Sequence, residues 1–275
     1  MFLQDTTIND DEIQQWITSF HNDGFLVVQN ILNPQTCEKL RNDLDEMIYE
    51  SRNSARFQHR MFEQSKANLE LFWLEPIVSF AERLIEDNGS KNANDYYEGI
   101  PSANQTHVIH NNSFIIRSGK EGLGGSVWHQ DDTPHITSLD GKPLSNVRLN
   151  VLAFTCLYYL TDVNHIDNGP TQFIRGSHLF GKHCDGKIEG YEDKIVSALG
   201  GAGTVAMFNN QTWHRGAPNA SNVDRYCTQI TYAKRLVGHK YSPFMNYTMP
   251  NSVYEDINDT RKLRLLGFLG NGAYG

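Results

Sequence analysis

The sequence predicts a mainly β protein, an antiparallel sandwich or barrel with helices gathered at its N-terminus and packed on one side. Up to about residue 100, apolar side chains recur at helical spacing. From Thr106 onward, β-branched and aromatic runs are separated by clusters of Gly, Pro and Asn, with no helical pattern between them. A chain of 275 residues with 39% hydrophobic and 20% charged content can also bury a full core.

The elements follow in order. Ile13, Trp16, Ile17 and Phe20 follow the acidic Asp10-Asp11-Glu12 at helical spacing, Asp23-Gly24 stops them, and Phe25 to Val28 reads as a short strand. Asn33 as N-cap and Pro34 at the first helical position open a second helix faced by Cys37, Leu40, Leu44, Met47 and Ile48. A third begins near Pro76 and carries Ile77, Phe80, Ala81, Leu84 and Ile85. The expected strands are Thr106 to Arg117, Val127 to Asp131, Val147 to Thr161, Thr171 to Arg175, Gly203 to Phe208 and Asp224 to Arg235. Leu179 to Lys194 lacks a period and reads as a surface loop or short helix. Its Gly content, like that of Ser118 to Ser126, predicts a mobile wall over a site.

Charge and cysteine usage narrow the function classes. A formal charge of −8 with scattered Lys and Arg argues against a nucleic-acid or anionic-membrane surface, which needs a clustered positive field. The longest apolar run, Val151 to Leu160, is about half the roughly 20 residues of a membrane span. Cys37, Cys156, Cys184 and Cys227 form no CxxC pair, and the acidic, polar N-terminus does not read as a secretory signal. A soluble, cytoplasmic protein of a reducing compartment is expected, with no nucleic-acid or membrane partner; the oligomeric state is not encoded in any pattern.

Four of the eleven histidines, His21, His129, His165 and His183, precede an Asp by two residues, so the triplet alone says little. Asp23, Asp167 and Asp185 fall in turns or loops, and His107 and His110, three apart on one expected strand, should point to opposite faces. Trp128-His129-Gln130-Asp131 differs because it follows a Gly-rich loop where a strand is expected. Alternation there puts His129 and Asp131 on one face about 6.6 Å apart, within reach of one metal ion. His214, directly after the apolar run Gly203 to Phe208, is the candidate third ligand. Two histidines and a carboxylate with open positions form the facial triad of non-haem Fe(II) oxygenases.

Arg225 strengthens the pattern. Alternation groups it with Cys227, Gln229 and Thr231 on one strand face. Aimed into a barrel it would be a buried charge that only an anion could offset, and a dicarboxylate co-substrate supplies one. The competing reading is a surface Arg paired with Asp224 or Asp193.

Together, Trp128-His129-Gln130-Asp131, the turn Asp167 to Thr171 leading into Arg175-Gly176-Ser177-His178, and His214 with Arg225 resemble the phytanoyl-CoA dioxygenase family of Fe(II)/2-oxoglutarate oxygenases. The opening helix and Asp23 to Val28 look like that family too, so the resemblance runs from roughly Ile13 to Arg235. It implies a double-stranded β-helix (jelly-roll) core with helices outside. The expected organisation is one domain over 1–275: a helical part to about 100, a core over about 106–236, and a C-terminal extension over 237–275. It also implies that His129, Asp131 and His214 bind iron, that Arg225 binds the distal carboxylate of 2-oxoglutarate, and that Thr171 touches the co-substrate. The chain departs from the family at Arg175, where Pro usually stands, and at Gly216, where some members have Ser. Trp213, beside a ligand, is the best pocket candidate among the aromatics, and His178 looks structural.

The activity this implies is oxidation of a small metabolite or natural-product intermediate by hydroxylation, desaturation or ring formation, with 2-oxoglutarate and O₂ consumed and succinate and CO₂ released. Related halogenases have Ala or Gly at the carboxylate position, so Asp131 argues against halogenation. An acyl-CoA would want a basic run for its phosphates, and none occurs. Two alternatives stay open: a zinc-dependent, cupin-like hydrolase on the same ligands, and a non-catalytic binding module on the same fold.

Overall fold

The protein is described by a computed structural model covering residues 8–51, 57–86, 106–119, 125–238 and 247–268. Its elements begin with helix α1 (Asp10–Asp23), capped reciprocally by Asn9 and Glu12, and it buries Ile13, Ile17 and Phe20 as the spacing predicts. Strand β1 (Phe25–Val28) follows, then α2 (Pro34–Ser51), where Asn33 Oδ1 accepts the Thr36 N–H at 2.8 Å. Cys37, Leu40 and Leu44 are fully buried on its inner face. A short strand β2 (Phe57–His59) and a one-turn helix α3 (Lys66–Glu70) were not legible, and α4 (Ile77–Glu86) starts where Pro76 predicts.

The remaining strands are β3 (Thr106–Ile116), β4 (Ala153–Tyr159), β5 (Thr171–Ile174), β6 (Ile195–Ser197), β7 (Val205–Asn209), β8 (His214–Gly216) and β9 (Arg225–Lys234). They form a six-stranded sheet in the order β1-β7-β4-β9-β3-β2 and a three-stranded sheet in the order β6-β5-β8, all paired antiparallel. The double-stranded β-helix with N-terminal helices is therefore present, with its two sheets left open at the edges.

Alternation separates two cores. Phe154, Cys156, Tyr158, Met207, Ile230 and Tyr232 point outward and meet the helices in a cluster that extends from Ile13 to Leu266, the latter just past helix α5 (Thr260–Leu265) of the C-terminal extension. Phe25, Phe114, Leu157, Tyr159, Phe208 and Cys227 point inward and meet Phe173 of the smaller sheet, with Phe25 and Phe173 stacked 4.6 Å apart. Arg225 and Cys227 thus share the inner face, as the alternation of β9 predicts. Among the described residues no helix is long and apolar enough to cross a membrane, and the four cysteines are free and buried.

Three expectations need correction. Residues 127–131 form no strand; only His129 bridges His214. His107 and His110 do not point oppositely: a β-bulge between Val108 and His110 sets them opposite Ala233 and Thr231, two apart on β9 and so on one face. Leu179 to Lys194 is no free wall, because Phe180, Cys184 and Tyr191 pack with Trp128 and Trp213 in a small core of their own. The other expected wall, Ser118 to Ser126, lies outside the described residues over 120–124.

The Asp23-Gly24 turn is tied to the site. Gly24 adopts φ +85°, and a Cβ there would come within 2.5 Å of His178 Nδ1 and of Thr212 Oγ1. Thr212 Oγ1 donates to the Gly24 carbonyl at 2.7 Å, and His178 Nε2 lies 2.9 Å from the His21 carbonyl. Gly24→Ala combines backbone strain with collision, so it is expected to cost about 1–3 kcal/mol and lower the Tm measurably; an unchanged melting curve would contradict this packing.

Candidate metal and co-substrate site

The turn between β7 and β8 builds the site. It is polar, Asn209 to Thr212, and closes on itself: Thr212 N–H donates to the Asn209 carbonyl at 2.8 Å and Gln211 N–H to Asn209 Oδ1 at 3.0 Å. His214 follows as the first residue of β8 and exchanges two backbone hydrogen bonds with His129, at 2.8 and 3.0 Å. The same turn fixes Asp131, whose N–H donates to the Asn210 carbonyl at 3.0 Å. One short segment thus positions all three side chains, although His129 and Asp131 lie some eighty residues earlier.

Their ligand atoms all lie within 4.8 Å of one another, with His214 Nε2 3.6 Å from Asp131 Oδ1. Each imidazole Nδ1 sits 2.8 Å from a backbone carbonyl, Val127 for His129 and Thr212 for His214. A carbonyl only accepts, so in the neutral ring the proton sits on Nδ1 and Nε2 keeps its lone pair for a metal. His214 is buried against Phe208, ring centroids 4.5 Å apart, and burial lowers its pKa, with the Asp131 carboxylate opposing. The neutral, metal-competent form of His214 is therefore favoured at neutral pH. Two imidazoles and one carboxylate suit a divalent first-row metal and leave coordination positions open.

Arg225, the first residue of β9, is 3% exposed, which overturns the surface-pair reading. Asp224 is engaged elsewhere, with Arg117 at 2.6 Å and the Ser118 N–H at 2.7 Å. The Arg225 guanidinium donates through Nη1 to the Gly169 carbonyl and lies 5.8 Å from the Tyr159 ring centroid, while its Nε has no partner among the described residues. Among the described residues no carboxylate pairs with it. A buried cation with an unfilled donor calls for an anion, so the donor set fits a carboxylate-bearing co-substrate.

Thr171 starts β5 next to this cation. Its N–H donates to the Tyr159 hydroxyl at 3.1 Å, and that hydroxyl donates to the Ala198 carbonyl at 3.0 Å. Burial raises the Tyr159 pKa, so the phenol stays protonated. Across the ladder Thr171 stands opposite Gly216 and Phe173 opposite His214. Thr171, Phe173 and His214 thus share one face, and Thr171 supplies a hydroxyl in the row where Gly216 cannot.

Sequence reasoning missed Tyr159, the Gly169 carbonyl and Asn210. The polar run Asn209 to Thr212 directly after an apolar strand was the available signal for the last. Trp213, expected at the pocket, packs instead with Phe180 and Tyr191 away from the ligands. His135 is exposed, and its N–H donates to Gln211 Oε1 at 2.9 Å. At Arg175 the missing Pro is offset by ties to Asp23: its guanidinium lies 3.7 Å from that carboxylate, and the Gly176 N–H donates to the Asp23 carbonyl at 2.8 Å.

A double-stranded β-helix that gathers a His/Asp/His set beside a buried guanidinium has the frame of a 2-oxoglutarate-dependent non-haem iron oxygenase. The family model described as phytanoyl-CoA dioxygenase (PhyH) matches residues 20–227, about three quarters of the sequence, and the chain belongs to that family. It is accordingly an iron- and 2-oxoglutarate-dependent enzyme. No curated protein matches it in sequence. Solved structures share its fold at low identity. HygX from Streptomyces hygroscopicus, with nickel and 2-oxoglutarate bound, is 13% identical with a TM-score of 0.62, covering 86% of this chain and 94% of its own. The non-haem α-ketoglutarate-dependent epimerase SnoN from nogalamycin biosynthesis is 18% identical at 0.57, covering 82% and 83%. The non-haem monooxygenase ThoJ, in a nickel complex, is 19% identical at 0.57, covering 82% and 79%.

Proposed function

We propose that this enzyme oxidises a free small metabolite or natural-product intermediate, with iron(II) held by His129, Asp131 and His214, and 2-oxoglutarate held by Arg225 and Thr171. The observation that carries the reading is the convergence of three ligand atoms within 4.8 Å in the same inter-sheet space as a buried arginine lacking a carboxylate. When bound, iron and 2-oxoglutarate supply oxidative decarboxylation and the oxidising equivalent that attacks a substrate C–H bond.

The residues of the chain do the rest. The two Nδ1–H···O=C bonds hold the imidazoles in one tautomer and orientation. Asp131 fills the position that a halide would need, so the outcome is hydroxylation, desaturation or ring formation. Arg225 and Thr171 fix the far end of the co-substrate, and the apolar row of Phe173 and Phe208 covers His214 from water. The helices, the jelly roll and the C-terminal extension act as one domain around this site, since a single core reaches from Ile13 to Leu266.

A screen of candidate metabolites for 2-oxoglutarate-dependent succinate release above the uncoupled background tests the proposal. The expected hit is converted to a product that gains one oxygen or loses two hydrogens. Conversion that proceeds with zinc, without O₂ and without 2-oxoglutarate, would establish a hydrolase instead.

A further inference from the structure

The inner face of the large sheet is not uniformly apolar. Toward Arg225 it carries Phe114, Cys227, Leu157 and Tyr159, as an inter-sheet core should. At the other end, His59, His110, Asn112, Gln229, Thr231 and Thr155 occupy it. The register makes them neighbours: His59 stands opposite Asn112, Asn112 opposite Gln229, His110 opposite Thr231, and Thr231 opposite Thr155. The His59 and His110 rings lie 5.9 Å apart.

This patch leads to the metal ligands. Thr155 Oγ1 lies 3.0 Å from Thr231 Oγ1 and donates to Asn210 Oδ1 at 3.2 Å; the Asn210 backbone carbonyl is the acceptor of Asp131. Thr155 is also opposite Phe208, the ring that covers His214. Asn112 Oδ1, an acceptor, and Asn210 Nδ2, a donor, in residues 6% and 1% exposed, have no partner along this path among the described residues. Leaving such groups unsatisfied is costly, so a polar face that ends at the reactive centre calls for a polar occupant.

We propose that this face recognises the substrate, and that the substrate is an uncharged, hydroxyl-rich molecule of the glycoside or polyol type. The inference rests on the proposed metal and co-substrate site and names what that site oxidises. Asn and Gln each offer a donor and an acceptor, the Thr155 and Thr231 oxygens can still accept, and a substrate hydroxyl is donor and acceptor at once. The six residues include no Lys, Arg, Asp or Glu, so they offer no fixed counter-charge for a phosphorylated or carboxylated substrate. An aliphatic substrate would leave Asn112 and Asn210 unsatisfied.

Calorimetry on the protein loaded with Fe(II) and 2-oxoglutarate, without oxygen, tests this with three probes: methyl α-D-glucopyranoside, cyclohexyl methyl ether as its hydroxyl-free counterpart, and coenzyme A. The glucoside is expected to bind at least about tenfold tighter than the ether, and Asn112→Leu and Gln229→Leu are each expected to erase that advantage. Gln229 is only half-buried, so its variant stays informative if Asn112→Leu folds poorly. The proposal is overturned if the glucoside fails to bind, if the ether or coenzyme A binds as well or better, or if the advantage survives substitution. Normal 2-oxoglutarate binding alongside such a result overturns this inference alone. Absent 2-oxoglutarate binding overturns the proposed function and this inference with it.

Discussion

His214→Ala is expected to abolish coupled turnover, with kcat at or below about one-thousandth of wild type. A metal that polarises bound groups is worth several kcal/mol, and each 1.4 kcal/mol is about tenfold in rate. The same loss is expected for His129→Ala and Asp131→Ala, because each contributes one atom of a set that spans less than 5 Å. The fold should survive all three changes. His129 is only partly buried and the Asp131 side chain is 26% exposed, so neither anchors a core. His214 is buried, but its backbone bridge to His129 and its packing row of Phe173 and Phe208 remain after truncation. Steady-state succinate release at saturating Fe(II), with a melting curve for each variant, checks both halves. Normal turnover by His214→Ala would remove it from the proposed metal set.

Arg225→Ala is expected to raise the 2-oxoglutarate KM by about 30-fold or more, because truncating one partner of a buried charge pair typically costs about 2–5 kcal/mol. Arg225→Lys should fall between: the charge survives, but the planar fork that fits a carboxylate is lost. Iron affinity should change little, since Arg225 lies on β9 while the three proposed ligands are held by the β7–β8 turn and its bridge to His129. Part of the loss has an internal origin. The Gly169 carbonyl loses the Nη1 donor, and the turn that delivers Thr171 is released with it. The measurement is 2-oxoglutarate dependence of wild type and both variants at fixed Fe(II); equal KM values would separate Arg225 from the co-substrate.

Much of this molecule was legible in the sequence, for identifiable reasons. Helix α1 and the inner face of β9 follow simple periodicities of 3.6 and 2, and burial agrees with both at Ile13, Ile17 and Phe20 and at Arg225 and Cys227. The structure brings the three residues proposed as metal ligands within 4.8 Å of one another, even though the sequence reasoning for two of them failed locally. His129 and Asp131 do not converge by strand alternation, as no strand is there; the β7–β8 turn draws them together through long-range backbone bonds. Such bonds have no periodic signature. The bulge in β3 was invisible for a related reason: one inserted residue resets alternation without changing composition, and it turned His107 and His110 to one face. The packing of residues 179–194 was missed because Phe180, Cys184 and Tyr191 pack without a period, while the glycines around them suggested mobility. Trp213 was misplaced because proximity in sequence to a ligand says nothing about which face of a three-residue strand it precedes.

The most direct test of the central claim is an anaerobic titration of the metal-free protein, first with Fe(II) and then with 2-oxoglutarate, followed by visible absorbance. A facial His129/Asp131/His214 set with open positions, beside Arg225, predicts a weak metal-to-ligand charge-transfer band that appears only when both are present. The band should saturate with 2-oxoglutarate, and it should be lost in His214→Ala. No band in the wild-type protein at saturating Fe(II) and 2-oxoglutarate, or an undiminished band in His214→Ala, would contradict the account.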